Sequence, residues 1–165
     1  MKLKKNVDQA LEILVSTLLV VLVLNVLWQV VSRFIVGRPS PFTDELAGFL
    51  LIWVGLLGAA YASGQKQHLA INLLEKKLSQ KNQIRLQVLI NVLIVLFASA
   101  VMVVGGVNLA YITLYLDQIS AALRIPVGMV YLVIPVSGLL IIFYAVVDSI
   151  LILKTKSATI ENSTT

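Results

Sequence analysis

The chain has 165 residues, of which 59% are hydrophobic and 13% charged, and its formal net charge is +5. Its mean hydropathy is +0.95. A soluble domain carries about 25% charged residues, so this composition excludes a water-soluble fold. The absence of cysteine excludes disulfides, thiol catalysis and Cys-ligated metals or clusters.

The first apolar run, Ala10–Val31, follows Lys2, Lys4 and Lys5. A basic start before an apolar run also describes a signal peptide. Here the run is long enough to span a bilayer and no small-residue cleavage site follows it. It ends in Asn25, Trp28, Gln29 and Arg33, so a retained helix over about 10–32 is expected. Gly37, Pro39 and Pro41 then mark a turn.

The second run, Leu46–Gly64, carries no charge and is rich in glycine and alanine, including Gly55 and Gly58. Small residues let another helix backbone approach closely in lipid. A helix over about 44–64 is expected, with Thr43 or Asp44 capping its start. Asp44 and Glu45 suit the positive end of its dipole. Trp53 lies inside the run, where packing against protein is expected.

The segment 68–85 differs. Lys76, Lys77, Lys81 and Arg85 interleave with Ile71, Leu74 and Leu78, which share one helical stripe. This pattern predicts an amphipathic helix on the membrane surface, with its basic face toward lipid headgroups. His68 is an interfacial polar residue at its start.

The third run, Leu86–Leu116, carries no charge. At about 1.5 Å per residue it is roughly 46 Å long, longer than the hydrocarbon core, so it must tilt, bend or protrude. Gly105–Gly106 is the natural place for a bend. The fourth run, about 126–153, starts at Pro126 and contains Pro135, which should kink it. The polar residues 154–165 read as a disordered tail on a single membrane domain of residues 1–153. The expected fold class is an all-α integral membrane protein with four transmembrane helices and a cytoplasmic-side interfacial helix.

Lys2, Lys4, Lys5, Lys66, Lys76, Lys77, Lys81, Arg85, Lys154 and Lys156 fall on one side of this layout, and Arg33, Arg38 and Arg124 on the other. The positive-inside rule therefore predicts that both termini are cytoplasmic. These basic residues flank apolar runs and form no stripe on a soluble element, so no nucleic-acid partner is expected.

No ionisable residue lies in the middle of any run, although such residues usually mark ion or substrate pathways. A lone histidine cannot supply two axial ligands to a haem, and no Asp/Glu/His cluster suits a metal. No catalytic, cofactor-binding or metal site is expected. A polar stripe of Asn25, Gln29 and Arg33 meets Asp44 and Glu45 across the first turn, where an Arg33 ion pair is expected. Asn91 and Asn108 read as interhelical hydrogen-bond donors. The residues expected to serve a partner interface or the structure are thus Asn25, Gln29, Arg33, Asp44, Glu45, Trp53, Gly55, Gly58, Pro126 and Pro135.

Three stretches resemble a known family. They are Arg33–Phe34 with Asp44-Glu45-Leu46-Ala47; Trp53 through Gly58-Ala59-Ala60 to Gln67-His68-Leu69-Ala70-Ile71-Asn72; and Ser120-Ala121-Ala122-Leu123-Arg124-Ile125-Pro126 with Tyr131 and Ile134-Pro135. In order and spacing the chain resembles the small membrane subunit of tripartite ATP-independent periplasmic (TRAP) transporters. Phe42 departs from the pattern, standing where the family often has a tryptophan. The resemblance implies a large multi-helix membrane partner, a periplasmic substrate-binding protein and sodium-driven import of an organic acid. It further implies that the small subunit is a scaffold and that the sodium and substrate sites lie in the large one. The alternative is a self-sufficient homodimeric exporter, which would need a membrane-embedded carboxylate. Glu12 is the weak candidate for that role.

Overall fold

The computed structural model describes residues 2–35, 37, 38, 40–65 and 80–161. Four helical stretches are long and apolar enough to cross a membrane: Lys4–Phe34, Pro41–Gln65, Arg85–Tyr115 and Val127–Ile152. The protein is an all-α membrane protein, and among the described residues the only β feature is an isolated Ile119–Pro126 bridge.

Helix α1, Lys2–Phe34, begins before the apolar run because its polar first turns extend the same helix. It stops at a turn in which Gly37 takes φ +69°, a left-handed conformation that costs glycine little. The Arg38 N–H returns to the Ser32 carbonyl at 3.2 Å. Helix α2, Pro41–Gln65, starts three positions before the expected residue 44. Proline suits a first helical position, where its missing N–H would lack a partner anyway. Asp44 therefore lies in the first turn rather than at the cap, and its N–H bonds the Ser40 carbonyl at 3.2 Å.

Span three is built of α3, Gln80–Phe97, a π-helical stretch, Ala98–Gly105, and α4, Gly106–Tyr115. At Gly105–Gly106, where a bend is expected, the helix type changes. The Gly106 N–H reaches the Met102 and Val103 carbonyls as the π geometry returns to α. Span four consists of a short α5, Val127–Tyr131, and a long α6, Val133–Glu161, interrupted at Leu132. Pro135 explains the interruption, since it cannot donate to the Tyr131 carbonyl one turn back. Residues 154–161, expected to be disordered, continue α6 as helix. Of the expected interfacial helix over 68–85, residues 68–79 lie outside the described residues, while 80–85 are the first turns of α3.

The spans pack in the order one, two, four, three. Helix α1 lies on α2, α2 on α6, and α6 on α3 and the π-helical stretch. A groove of about 440 Å³, lined by Ser63, Ile90, Leu93, Phe97, Met102 and Ile141, separates spans two and three. Span four is consequently the most enclosed, with 39% of its most apolar stretch buried against 6% for span one. The shared core joins Leu11, Leu57, Val133 and Tyr144, with Val15, Trp53 and Phe143 packed against it. Lipid tails are as apolar as leucine, so close packing and hydrogen bonds hold such helices together. Glycines allow the closest approaches. A Cβ at Gly138 would sit 2.7 Å from Met102 Cβ, and one at Gly106 would sit 2.9 Å from Pro135 Cδ.

Candidate functional site

The polar residues of the sequence stripe converge where α1 turns into α2. Asn25 Nδ2 donates to the Thr43 carbonyl at 2.8 Å. Gln29, one turn further along α1, donates from Nε2 to Asp44 Oδ1. These two bonds fix the register of spans one and two at this membrane boundary.

Glu45, the next residue on α2, reaches the connection between spans three and four. Its carboxylate accepts the N–H groups of Ala121 at 3.1 Å, Ala122 at 2.7 Å and Leu123 at 3.0 Å. Three successive N–H groups turned toward one point form an anion-binding concavity, and Glu45 fills it. The loop keeps this shape because the Ser120 N–H bonds the Ile125 carbonyl at 2.9 Å and the Val127 N–H bonds the Gln118 carbonyl at 2.9 Å. Arg124 takes φ +55° in the same turn. Pro126 precedes α5 in an extended conformation. Deeper in the membrane, Trp53 Nε1 donates to the Val130 carbonyl at 3.2 Å, next to the interruption in span four.

A second polar cluster lies at the opposite end of the spans. Tyr144 donates its hydroxyl to Asp8 Oδ1 at 2.6 Å. Lys4 Nζ donates to the Gly64 carbonyl at 3.2 Å and lies 5.9 Å from the Tyr144 ring centroid. Gly64 is needed here, since a Cβ would stand 2.6 Å from Tyr144 Cε1. Asn91 Nδ2 joins span three to span four through Asp148 Oδ2 at 3.0 Å and Ser149 Oγ at 3.2 Å.

The expected residues thus divide. Asn25, Gln29, Asp44, Glu45 and Trp53 are brought into bonds between spans, and Pro126 and Pro135 shape span four. Arg33 does not form the expected ion pair: Gln29 bonds one oxygen of Asp44, and the loop N–H groups take Glu45. Gly55 is exposed with nothing near its Cβ position, while Gly58 faces Val15 Cγ1 at 3.8 Å. Asn108 is exposed on α4 rather than bonded to another span. Ile71, Leu74, Lys76, Lys77, Leu78 and His68 lie outside the described residues, and Lys81 lies in the first turn of α3. Sequence reasoning missed Asp8, Tyr144 and Gly64. Their partnerships join positions 60 to 136 residues apart, and nothing local in the sequence signals them.

Residues 3–155 match the family model described as "Tripartite ATP-independent periplasmic transporters, DctQ component". The chain belongs to this DctQ family. It is 26% identical over 137 residues, covering 79% of each chain, to the sialic acid TRAP transporter small permease protein of Vibrio cholerae. It is 25% identical over 135 residues, covering 82% of each chain, to a Haemophilus influenzae protein assigned to the TRAP transporter small permeases. This DctQ-family chain is therefore a small permease subunit of a TRAP transporter, a transporter component and not an enzyme. With its four apolar spans it is an inner-membrane protein.

Proposed function

We propose that this small permease is the non-catalytic scaffold of a sodium-coupled, binding-protein-dependent importer of an organic acid, of the C4-dicarboxylate or sialic-acid type. The observation that carries the reading is how the polar side chains are used. Asn25, Gln29, Glu45, Trp53, Asn91 and Tyr144 each bond another span or its connecting loop. A substrate pathway needs polar groups aimed into a shared cavity. In this chain they act as struts between helices.

The open row of spans supports a large helical partner. On α2 the residues Gly48, Leu51, Gly55 and Ala59 form one exposed stripe, at spacings of three and four that put them on one helix face. We assign this face to the large permease subunit, which would seat a helix close to the α2 backbone. A periplasmic binding protein would deliver substrate to that subunit. Both termini would be cytoplasmic, in accord with the distribution of Lys and Arg. The relative named for sialic acid supports an organic-acid substrate. Affinity purification of the full chain from native membranes, followed by mass spectrometry, tests the assignment. Recovery of a multi-helix permease is expected, and recovery of the chain only with copies of itself would overturn it.

A further inference from the structure

A cavity of about 170 Å³ opens beside the corner between spans one and two. At roughly 30 Å³ per water it has room for about five or six waters, and so for a small polar group. Its polar lining includes Arg33, Asp44 and Ser40, and its apolar lining includes Val26, Val30 and Phe34.

Arg33 is exposed, in the last turn of span one, and among the described residues it has no hydrogen-bond or ion-pair partner. Asp44 is committed to Gln29 through Oδ1, which leaves Oδ2 as a further acceptor. A cation and an anion therefore border one cavity without neutralising each other. Both sit at a span end, at the level of lipid headgroups. Val26, Val30 and Phe34 recur every fourth residue, so they form one stripe leading from the cavity toward the membrane interior. All three are exposed.

We propose that this corner binds a zwitterionic phospholipid bearing a primary ammonium. The phosphate sits on the Arg33 guanidinium, the ammonium faces the Asp44 carboxylate, and an acyl chain follows the Val26–Val30–Phe34 stripe. A guanidinium presents paired N–H donors that match phosphate oxygens. The carboxylate selects the ammonium end, because a primary ammonium donates hydrogen bonds and a quaternary choline has no N–H. The apolar stripe distinguishes a lipid from free phosphate, which would make no use of it.

The test uses the full-length chain, in nanodiscs of equal phosphatidylethanolamine, phosphatidylcholine and phosphatidylglycerol, with retained lipid counted by native mass spectrometry. Phosphatidylethanolamine should be retained over each of the others on the order of tenfold, the size of one hydrogen bond to a charged group. Arg33→Gln should abolish this retention. Asp44→Asn keeps an oxygen for Gln29 and should equalise phosphatidylethanolamine and phosphatidylcholine. Arg124→Gln, at the same membrane boundary, should change nothing. Equal retention of all three lipids by the unmodified chain, or unchanged selectivity in Arg33→Gln, overturns the proposal. A photo-crosslinker at Phe34 in native membranes should capture lipid, and capture of a protein chain instead also overturns it.

Discussion

The Glu45 carboxylate accepts the Ala122 N–H at 2.7 Å, across 77 positions of sequence. This bond, with its neighbours from Ala121 and Leu123, joins span two to the connection between spans three and four. Replacing Glu45 by alanine would leave three converging N–H groups without their acceptor. Hydrogen exchange at Ala121–Leu123 should then accelerate selectively, while the amides of α6 near Tyr144 keep their protection. Equal protection of the loop in Glu45→Ala and the unmodified chain would mean that the carboxylate does not hold it.

The glycines make opposite predictions according to what lies beside them. A Cβ at Gly128 would stand 2.9 Å from the Ala110 carbonyl oxygen and 2.5 Å from Leu114 Cγ. Overpacking of this kind typically costs about 1–3 kcal/mol, so Gly128→Ala should lower the melting temperature of the isolated chain in detergent. Gly55 has nothing within 4 Å of its Cβ position. Gly55→Leu should leave that melting temperature unchanged but weaken assembly with the large permease, read by co-purification. A large loss of stability in Gly55→Leu would place that face inside the chain instead.

The polar cluster at the opposite end of the spans has a modest expected strength. Hydrogen bonds between membrane helices contribute about 0.6 kcal/mol on average and up to about 1.7. Tyr144→Phe removes only the hydroxyl that donates to Asp8 and should destabilise the chain within that range. Asn91→Leu, which separates span three from Asp148 and Ser149, should do the same. Unfolding in detergent measures both, and a double variant should show near-additive losses, since the two contacts involve different residues.

Orientation is directly testable because the chain has no cysteine. Single cysteines at Ser40 and at exposed Gln118 should react with an impermeant thiol reagent applied outside intact cells. Cysteines at Ser79 and Ser157 should be protected until the membrane is opened. The reverse pattern would contradict cytoplasmic termini.

The four spans were legible because their signal is local: an apolar run of sufficient length in lipid must become a helix. The corner was half legible. Asn25, Gln29 and Arg33 fall on one stripe, so the approach of that stripe to the start of α2, where Asn25 bonds Thr43 and Gln29 bonds Asp44, followed from helix periodicity and a short turn. Which of them would pair did not follow, because the positions of Gln29 and of the Ala121–Leu123 loop decide it. The order of the spans was also hidden. It depends on close contacts such as Gly138 against Met102 and Gly64 against Tyr144, and periodicity does not distinguish these glycines from exposed Gly55. The π-helical stretch Ala98–Gly105 has no counterpart in the apolar pattern, which continues unchanged through it.

The scaffold role is tested most directly by uptake in proteoliposomes. The chain is reconstituted alone or with the large permease subunit, and an inward sodium gradient, a periplasmic binding protein and radiolabelled sialic acid or C4-dicarboxylate are supplied. The account predicts no uptake above protein-free vesicles for the chain alone, and sodium-dependent uptake when the large subunit is present. Substrate-specific uptake by the chain alone would contradict the account.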